Sequence, residues 1–206
     1  MMSMKRMLGG MLAIAVILFS ACGDDDNASP KSQFAFEGED SFSLKDGNLY
    51  LVYEGNDGSG HLYRDYIITD GTYVDGDGWS FSDYTNATYL MAVELGVPAA
   101  EEKLSDGKYP LYSSFSQAAE TSKVSWVSFE TTSDVYYEIP SGTEGDDDIE
   151  ISGDYDDGDK MTIKFNGTLT NYTVDEVAAD GKFYFKGEVQ DVRGVLARQS
   201  AKGGVK

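Results

Sequence analysis

From Phe34 to Val192 the apolar residues of this chain alternate with polar ones, and the alternation is broken by Gly, Asp and Asn. A period of two is the pattern of half-buried β-strands, and stretches with apolar residues at helical spacing are almost absent. The residues at the breaks are those that make tight turns. Phe42-Ser43-Leu44 and Asn48 to Tyr53 flank Asp46-Gly47 and predict a hairpin. His61 to Thr69 predicts a strand, and Thr72 to Asp83 predicts a hairpin closing at Asp75-Gly76-Asp77-Gly78. Thr88 to Leu95 is so apolar that both of its faces should be covered. Later strands are expected at Tyr109 to Tyr112, Val124 to Phe129, Val135 to Ile139, Asp148 to Gly153, Lys160 to Asn171 and Lys182 to Val192, with a bend or bulge at Asn166-Gly167. Val97 to Leu104, opened by Pro98, is the best place for a short helical turn. Roughly eight to ten strands without a long helical crossover point to an all-β fold, either an antiparallel sandwich or a closed barrel.

The start of the chain is an address rather than a part of that fold. Lys5 and Arg6 precede an apolar run from Leu8 to Phe19, which is short for a membrane span but has the form of a secretory signal. The run ends in Leu18-Phe19-Ser20-Ala21-Cys22, where small residues stand immediately before the chain's only cysteine. This junction resembles a bacterial lipobox, with Phe19 in the place where Leu is usual. The resemblance implies cleavage before Cys22 and acylation of Cys22. More than one acyl chain, at about 0.8 kcal/mol per buried methylene, makes a stable anchor. Residues 1–21 are then signal, 22–33 a lipidated tether, 34–196 the β domain and 197–206 a tail. With Cys22 acylated no thiol is left for a disulfide, so packing and hydrogen bonding must stabilise the body.

Gly23-Asp24-Asp25-Asp26-Asn27 follows Cys22 directly. Asp24, Asp25 and Asp26 resemble the acidic export signal of surface lipoproteins of Bacteroidota, which implies an outer-membrane lipoprotein exposed on the cell surface. The later segments, with Asp157-Gly158 before Lys160 to Asn171 and Asp180-Gly181 before Lys182 to Val192, resemble the meander of small lipocalin-like lipoproteins of the same bacteria. That resemblance makes the closed-barrel alternative a lipocalin-like barrel and carries no activity with it.

Composition narrows the functions further. A formal charge of -20, from 16 Lys+Arg against 36 Asp+Glu, repels phosphate backbones and anionic headgroups, so nucleic acid is not an expected partner. One His and one Cys leave no zinc site built on several of them. The expected partners are the outer membrane, through the anchor, and a glycan or protein at the cell surface.

Three kinds of candidate residue remain. Trp79, beside the Asp75 to Gly78 turn, is placed to stack on a sugar ring or a partner surface, and Tyr84 and His61 are further candidates for ligand contact. His61 opens a strand, and a solvent-facing structural role outweighs metal or haem ligation there, whereas Trp126, in an alternating run, is expected to be buried. No cofactor is expected apart from calcium. Calcium takes six to eight oxygen ligands, and Asp75 and Asp77 can supply them with Asp154, Asp156 and Asp157 if two distant turns meet, although turn formation alone accounts for each cluster. Asp148 and Glu150, alternate residues of one strand, resemble the acidic strand of some jelly-roll glycosidases and make a surface glycan hydrolase the alternative to a non-enzymatic binding protein. A structural subunit of the envelope or of fimbriae is a third possibility.

Overall fold

A computed structural model of the chain describes residues 33–37, 47–56, 58, 60–173 and 177–193. The signal, Cys22 and the Asp24 to Asp26 cluster lie outside these residues, as does Phe42 to Leu44 of the first expected hairpin. Among the described residues the strands are β1 (Gln33–Glu37), β2 (Asn48–Gly55), β3 (His61–Thr69), β4 (Thr72–Tyr73), β5 (Tyr84–Thr85), β6 (Tyr89–Pro98), β7 (Gly107–Tyr112), β8 (Val124–Thr131), β9 (Tyr136–Glu138), β10 (Glu144–Gly153), β11 (Lys160–Asn171) and β12 (Val177–Asp191). Among the described residues, single 3-10 turns stand at Phe81–Asp83, Ala99–Glu101 and Phe115–Gln117.

The sheet order β12-β2-β3-β6-β8-β7-β10-β11 returns from β11 to β12, which closes an eight-stranded ring. Closure decides between sandwich and barrel: the fold is a lipocalin-like β-barrel carrying extra strands. β1 adds to β12, β9 adds to β8 and β11, and β4 with β5 forms a separate small ladder. Two neighbour pairs, β12 with β2 and β7 with β8, are parallel, so the ring is not a simple meander. A parallel pair cannot be joined by a tight hairpin, and the chain leaves β7 at Tyr112 and re-enters at Val124 through a crossing segment. That segment becomes one wall of the site described below.

Alternation sorts the side chains as the period predicts. Leu49, Leu51, Tyr66, Ile68, Val93, Leu95, Val127, Phe129, Ile163 and Phe185 belong to one buried cluster that turns into the barrel. An eight-stranded barrel is just wide enough for side chains to fill, and each such residue stabilises by about 1.5–3 kcal/mol relative to exposure. The inward row of β3 includes Arg64, whose Nε lies 2.9 Å from Glu54 and whose Nη1 lies 3.0 Å from Asp156. The same Nη1 donates to the Tyr155 carbonyl at 3.1 Å. Arg193 joins Glu54 and Asp191, so two guanidinium groups and three carboxylates form a network there.

The structure corrects several local expectations. The Thr72 hairpin does not close at Asp75 to Gly78, because β4 pairs with β5 and the intervening residues form a longer loop stitched from within. Asp180-Gly181 is not a turn, since Asp180 pairs with both Glu37 and Thr168 inside the continuous strand β12. Asn166-Gly167 is not a bulge either. The β11–β12 register runs unbroken from Lys160 opposite Glu188 to Asn171 opposite Val177, and Gly167 faces Gly181 within it. Paired on both edges, a strand stays extended even where Gly would permit a bend. The helical turn expected within Val97 to Leu104 shrinks to Ala99–Glu101 because β6 runs on to Pro98.

Candidate functional site

Ordinarily the outer face of a barrel meets water, but here residues 70–88 fold back over it. Tyr50, Val52, Ile67, Leu90 and Ala92, all outward-facing, bury against Tyr84 with Tyr73, Phe81 and Ala87 packed alongside. Asp70 holds the base of this excursion by accepting from the Thr88 N–H at 2.7 Å and from its hydroxyl at 2.5 Å. Its tip is organised by Asp83, a buried residue whose Oδ2 accepts from the N–H groups of Gly78 at 2.9 Å and Ser80 at 3.1 Å. Ser80 in turn accepts from Ser82 N–H and completes a capping box on the Phe81–Asp83 turn. Gly78 has φ +83, and a Cβ there would lie 2.4 Å from Val52 Cγ1. Only glycine allows that loop to sit so low on the barrel.

The seated loop presents Trp79 toward the strands below. A cleft of about 340 Å³ is lined by Trp79, Glu94, Tyr112, Ser113, Ser114, Phe115 and Trp126. Trp79 comes from the loop, Glu94 from the outer face of β6, Trp126 from β8, Tyr112 from the end of β7, and Ser113 to Phe115 from the start of the crossing segment. Two of the aromatics are positioned by neighbours. The Trp126 indole N–H donates to Glu138 Oε1 at 3.2 Å, and the other oxygen of Glu138 accepts from Tyr136 at 2.9 Å. Phe115 stacks on Tyr63, with ring centroids 5.2 Å apart and planes 14° apart. Tyr63 lies against Gly96, where a Cβ would come within 2.7 Å of its ring, so the missing side chain makes room for that stack.

Beside the cleft, Asp65 of β3 stands directly opposite Glu94 of β6, and Glu94 stands opposite Trp126 of β8. Side chains directly opposed in an antiparallel pair have Cβ atoms about 4.5–5.5 Å apart. Asp65 is 6% exposed, and its Oδ1 has no hydrogen-bond partner. Burial, and then the neighbouring Glu94 charge, pushes its carboxyl up to about 8. A buried carboxyl without a donor is costly, and such costs are retained most often where a site needs them.

The residues named from the sequence divide accordingly. Trp79 is at the cleft, 42% exposed. Tyr84 is buried beneath the loop, where its hydroxyl donates to the Gly78 carbonyl at 2.6 Å, and burial followed by the Asp83 charge raises its phenol well above the usual range. It therefore seats Trp79 from below. His61 is fully buried rather than solvent-facing; its Nε2 lies 2.9 Å from the Ser122 carbonyl and its ring leans on Tyr63, two contacts behind the cleft wall. Trp126 is only partly buried and reaches the cleft.

The aspartate clusters have other partners. Asp75 accepts from Gly76 N–H at 2.8 Å and Asp77 from Trp79 N–H at 3.2 Å, both as turn bonds. Asp156 pairs with Arg64, and Asp157 accepts from Asp191 N–H at 2.9 Å. Asp154 is exposed at the β10–β11 turn, where its N–H donates to the Lys160 carbonyl at 3.2 Å. Among the described residues no group of three or more His, Cys, Asp or Glu is arranged to hold a metal ion. Asp148 and Glu150 share one face of β10, as alternation requires, and each faces a lysine: Lys108 at 2.8 Å and Lys164 at 3.7 Å.

Sequence reasoning missed Asp65, Glu94, Tyr112 and Phe115 as site residues. One signal for the first two was available, since each is a carboxylate set in a strand otherwise rich in buried apolar residues, Asp65 in HLYRDYIIT and Glu94 in YLMAVELGVP. No family model matches the chain, and no curated protein or solved structure matches it either.

Proposed function

We propose that this protein is a lipid-anchored outer-membrane lipoprotein displayed at the cell surface, and that it binds a small ligand in the Trp79–Trp126 cleft without chemical turnover, as an accessory to nutrient uptake. The anchor reading is supported by the single cysteine at the lipobox-like junction and by Asp24 to Asp26 after it. The observation that carries the ligand reading is the cleft itself. Two indoles, two further aromatic residues, a carboxylate and two serines converge on about 340 Å³ on the outer face of the barrel. Concave apolar surface with a few converging polar groups is how small-molecule sites are built. Asp148 and Glu150, the alternative hydrolytic pair, each have a lysine partner on exposed sheet instead.

The chain's two tryptophans are both at the cleft, so intrinsic fluorescence reports on it directly. Titrating the purified full-length protein in non-ionic detergent with neutral saccharides, amino acids and organic amines should give a saturable change for one class. Trp79→Ala should weaken it. Silence from every class would overturn the cleft as a ligand site.

A further inference from the structure

Among the described residues lining the cleft none is Lys, Arg or His. Its rings come from Trp79, Tyr112, Phe115 and Trp126, and an aromatic face carries negative potential that attracts a cation, Trp most strongly. The charged group in the lining is Glu94. Behind it, across the β3–β6 ladder, lies a second carboxyl, Asp65, more than nine-tenths buried and with one oxygen lacking any donor. The Glu94 carboxylate, under aromatic walls and in a chain of formal charge -20, makes a region of negative potential focused by low-dielectric surroundings. An anion is repelled there. A neutral polyol can donate to Glu94 but brings no charge to balance it. At about 340 Å³ the cleft is at the small end of ligand sites, which run from about 300 to 1,000 Å³, and is far short of a long oligosaccharide.

We propose that the cleft takes a small organic ammonium cation, quaternary or N-alkylated, with the rings of Trp79 and Trp126 against its N-alkyl groups and the Glu94 carboxylate as its counter-charge. This inference rests on the cleft being the ligand site and adds the class of ligand. An N-alkylated ammonium fits better than a bare ammonium because its methyl groups spread the charge over a surface that rings can cover. It also loses little hydration on entering. Glu138 and Tyr63 serve the same site indirectly, by fixing the planes of Trp126 and Phe115.

The test compares choline with 3,3-dimethylbutan-1-ol, its uncharged carbon isostere, by tryptophan fluorescence and calorimetry on the full-length protein in non-ionic detergent at constant ionic strength. Choline should bind saturably, and the isostere at least tenfold more weakly. Glu94→Gln should weaken choline at least tenfold while leaving the isostere unchanged, and Trp79→Ala, at an exposed position that leaves the fold intact, should weaken both. Equal affinity for choline and the isostere would reduce the cleft to an apolar slot and overturn the inference. Saturable binding of a neutral saccharide with none of choline would overturn the inference and keep the cleft as a ligand site. Silence toward all of them would remove both readings.

Discussion

Asp65 and Glu94 face each other across the β3–β6 ladder, and the carboxyl of Asp65 is buried without a donor for one of its oxygens. The barrel therefore carries an unfavourable electrostatic arrangement beside its aromatic cleft.

Stability should report that arrangement as a function of pH. Asp65 titrates at about 8 in the folded protein against an ordinary 3.8. Between those values the folded state holds a proton that the unfolded chain has released, so stability falls as pH rises through this window and levels off above it. At 1.36 kcal/mol per pH unit the full loss is on the order of 6 kcal/mol, an upper figure for a site that can relax. Asp65→Asn keeps the shape and removes the charge. It should melt several degrees higher than wild type at pH 9 and show little difference at pH 5; identical pH profiles for the two proteins would sink the assignment.

Asp83 should be the pivot of the loop that seats Trp79. Its carboxylate accepts from Gly78 and Ser80 N–H groups in a buried setting, and leaving such donors unpaired costs about 1–3 kcal/mol each. Asp83→Ala should lower the melting midpoint by several degrees and shift Trp79 emission to the red as the loop lifts. Gly78→Ala should do the same by a different route, through φ +83 and the contact with Val52. Unchanged melting and emission in both variants would show that the loop is held elsewhere.

Cys22→Ala should release the protein from the membrane fraction and prevent labelling by a fatty-acid probe. Changing Asp24, Asp25 and Asp26 together to Ala should keep the anchor but reduce shaving by protease on whole cells. A Cys22→Ala protein that stays membrane-bound and labelled would refute the lipobox reading, and equal shaving of wild type and the triple variant would leave the aspartates as a tether.

Calcium can be tested by the same melting measurement. A ligand at a hundredfold excess over its Kd stabilises by about 2.7 kcal/mol, enough to move the midpoint by several degrees. Since Asp75 and Asp77 serve turn bonds, Asp156 pairs with Arg64 and Asp157 bonds Asp191, midpoints in EDTA, calcium and magnesium at fixed ionic strength are expected to coincide. A rise specific to calcium would restore a cation at these loops.

Alternation in the sequence determined the strands, and for a physical reason: side-chain direction in a strand depends only on whether a residue is odd or even along it. The all-β class was legible on that ground, and the buried course of Tyr89 to Leu95 from its apolarity on both faces. Trp79 was legible as an exposed aromatic on a different ground, the Asp and Gly residues that mark a loop before it. Which strands become neighbours was not legible, since pairing joins residues far apart in sequence and depends on how the whole ring closes. Only the tertiary structure put β8 between β6 and β7, forcing the crossing segment that brings Tyr112 and Phe115 beside Trp126. Only its register set Asp65 against Glu94 and Glu94 against Trp126. The sequence by itself determined which residues of a strand share a face; the tertiary structure decided which face turns inward and what each residue meets there, because register is set by non-local packing that no local period encodes.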